Sequence, residues 1–125
     1  MKKLISSESE FEKNIAYSRA FVKGNWIFVS GTTGFNYQNN TIEDDIVSQT
    51  EQCFKNISEA LAKADSKLED VVRVTYILKD ASEFEKCWPT LRQYFGNIRP
   101  SATMFAADLA DSKMKIEIQV TALKG

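Results

Sequence analysis

An α+β fold, one β-sheet with two helices on the same face, is what this 125-residue sequence predicts. Three observations lead there. Apolar residues recur at helical spacing between Ile46 and Ala64. A β-branched run, Val71 to Leu78, follows that segment. The last strand-like segment, Met114 to Ala122, alternates almost perfectly between apolar and polar residues. The resulting order is β-β-α-β-α-β-β. Helices returning to a single sheet in this order pack together on one of its faces.

Each element has its own local reason. Lys2 to Ser6 is a candidate extra strand at the start. Ala20 to Gly31 reads as a β-hairpin, because Gly24-Asn25 supplies a turn between two β-rich arms. Gly31-Thr32-Thr33-Gly34 ends the second arm in a flexible corner, and Asn36 to Thr41 reads as a polar loop. In the first helix Ile46, Thr50, Cys53, Phe54, Ile57, Leu61 and Ala64 form one face. Asp44 and Asp45 stand near its start, where the helix dipole favours negative charge. Glu51, Lys55, Glu59 and Lys63 alternate in sign along the opposite face.

Val71 to Leu78 is a strand by its β-branched and aromatic content. Asp80-Ala81-Ser82-Glu83 has the spacing of a capping box and opens the second helix. That helix is expected to bury Phe84, either Trp88 or Cys87, Leu91 and Phe95. Pro89 predicts a kink or a new first turn within it, and Gly96 is its expected terminator. Two strands close the chain, Ala102 to Asp108 and Met114 to Ala122. In the second, Lys115, Glu117, Gln119 and Thr121 share the face away from the apolar residues.

Composition bounds the function. A chain of this length makes one domain, residues 1–125, with a core that needs no staples. The net charge of −1 gives no electrostatic reason to expect nucleic acid or an anionic membrane as partner. No apolar stretch is long enough to span a bilayer, and the short N-terminal basic pair runs straight into Glu8, Glu10 and Glu12. A cytoplasmic location is the expectation. Histidine is absent, which removes histidine-based triads and histidine metal ligands. With no Cys-x-x-Cys either, no metal site is expected. Cys53 and Cys87 read as small core residues, with a disulfide or reactive thiol as the alternative.

Several segments in fixed order resemble one family. They are Tyr17-Ser18-Arg19-Ala20, Ile27 to Thr32, Asn56-Ile57, Val71 to Thr75, Asp80 with Phe84, Ile98-Arg99-Pro100 and Lys115-Ile116-Glu117-Ile118. Together these resemble the YjgF/Rid family, the reactive-intermediate deaminases. The resemblance implies a chorismate-mutase-like fold and homotrimers with clefts between subunits. It also implies a small-molecule ligand and no cofactor. The deaminating members act on enamines and imines. An arginine holds the substrate carboxylate, and a water near a glutamate attacks the imine carbon. Positioning supplies most of the acceleration, because such intermediates hydrolyse spontaneously.

By that resemblance Glu117 is the candidate catalytic residue, placing water or moving a proton. Taken without it, Glu117 is a solvated strand carboxylate or the partner of Lys115 or Arg73 in an ion pair. Tyr17 and Gly31 match pocket positions, and Ser30 and Thr32 are candidate hydrogen-bond donors beside them. Hydroxyls at strand ends also satisfy backbone groups, so the two readings of Ser30 and Thr32 stay open.

Ala102 departs from the pattern. It stands where the deaminating branch carries its arginine. A charge-assisted arginine–carboxylate contact is worth about 1.5–3 kcal/mol, so its loss weakens binding of acid-bearing substrates roughly ten- to a hundredfold. Trp88 replaces a small polar residue and either reshapes the cleft or joins the core. Thr103 is a further candidate contact. Arg99 is the first substitute cation, ahead of Arg19 and Arg73. It precedes Pro100, which predicts an extended backbone there.

Three functions are compatible with these residues. One is a trimer that binds a small metabolite and deaminates poorly. The second is an enamine or imine hydrolase with a different substrate. The third is a trimeric scaffold.

Overall fold

The computed structural model describes residues 2–125. The expected single mixed sheet is present, with its helices on one face. It has six strands: β1 (Lys2–Ile5), β2 (Ala20–Lys23), β3 (Trp26–Thr33), β6 (Val71–Leu78), β7 (Ser101–Ala106) and β8 (Ile116–Leu123). Their order across the sheet is β1-β2-β3-β8-β6-β7. The β6–β7 pair is parallel, and the other pairs are antiparallel. The candidate first strand therefore forms and pairs with β2.

The long helix α2 (Ile46–Lys63) lies over β3 and β8 and starts at Asp45, whose carboxylate accepts the Ser48 N–H at 2.9 Å. The N-cap satisfies one of the otherwise orphaned amides of the first turn. Every apolar residue expected on its inner face is buried. Phe54 is fully enclosed. It stacks on Tyr94 with ring centroids 4.3 Å apart and meets Phe95 edge-on at 5.2 Å. From the sheet, Ile27, Val29, Val74, Leu78, Ile116, Ile118, Val120 and Ala122 complete this core. The alternation read from the last strand is thus its burial pattern.

Four local features differ from the expectations. A short helix α1 (Glu10–Asn14) precedes the hairpin. The polar loop forms a small hairpin of β4 (Phe35–Asn36) and β5 (Thr41–Ile42), with Asn36 opposite Thr41. The second helix is divided. Ala81–Cys87 is a 3-10 helix capped by Asp80, and α3 (Trp88–Phe95) begins beyond it with Pro89 in its first turn. Pro89 thus starts a new helix, where its missing N–H would have been unpaired anyway. Cys87 takes the core position, and Trp88 is 44% exposed, resting edge-on against Phe84.

The fourth difference concerns the end of α3. Gly96 is the C-cap of α3, as expected of its terminator, but keeps a helical φ of −56°, and the left-handed residue is Arg99, at φ 51°. Arg99 donates its N–H to the Phe95 carbonyl at 2.9 Å, which closes the helix end and replaces the extended backbone expected before Pro100. A following proline disfavours the right-handed helical region. The left-handed turn avoids that region while closing the helix end.

Both cysteines are free and fully buried. Burial pushes both thiols above their ordinary range, so neither is a ready nucleophile at neutral pH. They belong to the core.

Candidate functional site

A cavity of about 620 Å³ opens where β3 leaves the core. Its floor comes from a β-bulge. Val29 pairs with Val120 and Thr32 with Ile118, so Ser30 and Gly31 together stand opposite Gln119. A bulge re-aims the residues around it. Here it keeps Val29 and Thr32 in the core while Gly31 lies against the side chain of Glu117. A Cβ added to Gly31 would stand 2.8 Å from the Glu117 carboxyl carbon and closer still to Oε2. Glycine is required by this approach.

Glu117 is half-buried on β8, opposite Thr33 and Ile77, on the sheet face away from the helices. Burial raises its pKa above the usual glutamate value, and the charge of Arg19 works against that rise. Among the described residues its carboxylate makes no hydrogen bond or ion pair, which leaves it available to a ligand or water.

The wall beside Gly31 is organised by Arg19, which is 2% exposed. Its Nη1 donates to the Gly31 carbonyl at 2.9 Å, to Thr32 Oγ1 at 3.1 Å and to Tyr37 Oη at 3.4 Å, and its Nη2 donates to Tyr17 Oη at 2.7 Å. The guanidinium also lies over the Tyr37 and Tyr17 rings, 4.8 and 5.4 Å from their centroids. Its Nε lies 3.9 Å from a buried carboxylate of Glu12. Glu12 in turn accepts from the hydroxyls of Ser6, Ser7 and Ser9 and from the Ser7 N–H. Burial works to raise the Glu12 pKa, but the serine hydroxyls and Arg19 outweigh it, so the group titrates below its ordinary value.

Two buried amides on α2 hold the rest of the rim. Gln49 donates to the carbonyls of Glu43 and Lys113, at 2.8 and 3.0 Å, and accepts the Lys115 N–H at 2.8 Å. It thereby fixes the turn carrying Ala110, Asp111 and Met114 against the cavity. Asn56, seven residues on and so on the same helix face, donates to the Thr33 and Phe35 carbonyls at 3.1 and 2.8 Å. That clamp sets Phe35 and Tyr37 over the opening.

Of the sequence-derived candidates, the structure brings Tyr17, Gly31 and Glu117 to one cavity. Ser30 and Thr32 flank Gly31 but do not line it. The Ser30 hydroxyl donates to the Ser18 carbonyl at 2.6 Å, and Thr32 donates to the Ser30 carbonyl at 2.8 Å while accepting from Arg19. Both hydroxyls are committed to pinning the bulge.

The remaining candidates lie elsewhere in the chain. Ala102 pairs with Val74 and Thr103 with Thr75 on β7, an exposed edge strand. Arg99 and Trp88 are exposed just before that strand and at the start of α3. None of these four lines the cavity. The sequence reading missed the wall from Glu8 to Asn14, and with it Phe11 and the role of Glu12. The signal was there in Ser9-x-x-Glu12, whose spacing is that of a capping box.

The sequence matches the endoribonuclease L-PSP family over residues 7–124. The chain belongs to the YjgF/Rid family. A RutC family protein of Pyrococcus horikoshii is 32% identical over 125 residues, covering 99% of each chain. The 2-iminobutanoate/2-iminopropanoate deaminase of Homo sapiens is 26% identical over 110 residues, 87% of this chain and 80% of that protein. Among solved structures, a YjgF/YER057c/UK114 family member from Mycobacterium tuberculosis superposes with a TM-score of 0.90 at 35% identity, covering 98% of this chain and 99% of the other. The Rid relatives thus include deaminases by name. Among the described residues of this Rid chain no helix is long and apolar enough to cross a membrane, and no cluster of three His, Cys, Asp or Glu is placed to hold a metal ion.

Proposed function

We propose that this Rid protein hydrolyses imines in the Gly31–Glu117 cavity and handles carboxylate-bearing imines poorly. The observation that carries this reading is the half-buried, unpaired Glu117 carboxylate held against the Gly31 backbone in a cavity of about 620 Å³. The chemistry needs little else. Water adds to the iminium carbon while Glu117 accepts one of its protons, giving a carbinolamine. That proton passes to the nitrogen, the C–N bond breaks, and the carbonyl product and ammonium leave. No cofactor enters this scheme. Ala102 offers no charge for a substrate carboxylate, and Arg19 is already engaged by four protein acceptors.

The working unit in this proposal is a homotrimer in which a second copy completes each cleft. Two features support it. The sheet face away from the helices exposes a row of Leu4, Phe21 and Phe28 in register, with Trp26 stacked on Phe28 at 6.3 Å. The β7 edge exposes Met104 and Phe105. Apolar surface of this extent is unusual for a monomer. A neighbouring chain that set its β7 edge against the cavity would bring Trp88, Arg99, Ala102 and Thr103 to the same site as Glu117. RNA cleavage, which the family description names, is not favoured, because Glu8, Glu10, Asp111 and Glu117 all line the cavity and would repel phosphate.

Ammonia release from imines generated in place by an oxidase tests the proposal. Full-length protein is expected to accelerate release over the uncatalysed rate. The acid limb of kcat/KM should lie above the ordinary glutamate pKa of about 4.3, because burial raises Glu117 more than the charge of Arg19 lowers it. Activity falls as pH drops through that raised value and Glu117 takes up its proton. No acceleration with any imine contradicts the proposal and favours binding without turnover.

A further inference from the structure

We infer that the cavity selects an organic cation, an amine or iminium carrying an apolar or aromatic body and no carboxylate. This inference rests on the imine-hydrolysing reading above and names the substrate class of that site. Among the described residues of one chain, four carboxylates line the cavity, from Glu8, Glu10, Asp111 and Glu117, against one cation, Arg19, and the Arg99 that a neighbouring chain would bring leaves the balance negative. Arg19 is 2% exposed and largely engaged within the chain. Its two terminal nitrogens donate to Gly31, Thr32, Tyr37 and Tyr17, and its Nε stands 3.9 Å from the Glu12 carboxylate. An acid reaching Arg19 would have to lie beside Glu12.

The apolar part of the wall is aromatic. Phe11, Tyr17, Phe35 and Tyr37 all line the cavity. Phe11 meets Tyr17 edge-on at 6.0 Å yet is 51% exposed, an exposure that packing within the chain does not explain. Aromatic faces beside carboxylates are the recurrent environment for ammonium groups. The volume accommodates a ring-sized ligand, well beyond the smallest imino acids. Glu117 on the floor meets the charged nitrogen, and the rings near the mouth cover the body of the ligand.

Calorimetric titration of the full-length protein at neutral pH with benzylamine, benzyl alcohol and benzoate tests this. Benzylamine, protonated under these conditions, is expected to bind about tenfold more tightly than benzyl alcohol, the increment that a desolvated cation–aromatic contact supplies. Benzoate should not bind. The double variant Glu8→Gln/Asp111→Asn, checked for folding by circular dichroism, should lose several-fold in benzylamine affinity and gain for benzyl alcohol relative to it. Binding of benzoate at or above the strength of benzylamine, no binding of benzylamine, or an unchanged preference in the double variant overturns the inference.

A turnover arm separates the two readings. The imine released from benzylamine by a flavin amine oxidase is compared with the imine released from phenylalanine by an amino-acid oxidase. Acceleration confined to the phenylalanine-derived imine overturns the cation preference and leaves imine hydrolysis standing. Benzylamine binding with no acceleration of either imine upholds the preference and removes the hydrolase.

Discussion

Arg19→Met is expected to destabilise the fold by about 3–5 kcal/mol, the cost of breaking a buried charge pair by removing one partner. Methionine fills a comparable volume but returns nothing to the acceptors that the guanidinium satisfies. The Gly31 carbonyl, Thr32 Oγ1 and the Tyr17 and Tyr37 hydroxyls all lose a donor. Glu12 is left buried with serine hydroxyls and one amide and without its nearby positive charge. Urea denaturation monitored by fluorescence reads the loss. The double variant Arg19→Met/Glu12→Gln should cost less than the sum of the two singles, because both remove the same interaction. A wild-type midpoint for Arg19→Met would show that the network carries no stability. The depressed Glu12 pKa gives a matching pH signature. Its stabilisation is present above the unfolded glutamate value and is lost as pH falls through the folded one.

Gly31→Ala is expected to lower kcat/KM for imine hydrolysis about a hundredfold while costing little stability. The added Cβ collides with the carboxylate end of Glu117 and with no backbone atom of another residue. A long side chain can swing aside, so the fold survives, but the carboxylate leaves its position. Displacements of about 1 Å in a reacting group cost on the order of 10² in rate. Kinetics paired with a thermal melt separate the two effects. A variant with a normal melt and normal rate would mean that the close Gly31–Glu117 approach has no bearing on turnover.

The division between what could be read from the sequence and what could not follows the physics of each element. Helix α2 was legible because eighteen residues give five turns of 3.6-residue periodicity. Strand β8 was legible because its alternation matches a half-buried strand. The five residues of α1 are too few for periodicity to show, and only the Ser9–Glu12 spacing marked it. The left-handed Arg99 was hidden because nothing local distinguishes it from an ordinary residue before proline.

The site shows the same contrast. Tyr17, Gly31 and Glu117 were named because they stand in recognisable segments, and they meet at one cavity. Arg19 was named only as a candidate cation and Glu12 only in an acidic stretch, since a buried ion pair has no signature in a single sequence. Their burial depends on segments that converge only in three dimensions. Gln49 and Asn56 were not legible as clamps, because their partners are backbone carbonyls and an amide of distant loops.

Glu117→Gln keeps the shape of the cavity floor and removes only the capacity to take a proton. Steady-state ammonia release by this variant and by the parent protein, on the benzylamine-derived imine and with matched melting curves, is the most direct measurement. The parent should accelerate release, and the variant should fall toward the uncatalysed rate, by about 10²-fold or more. Equal rates for the two proteins would contradict the assignment of chemistry to this carboxylate.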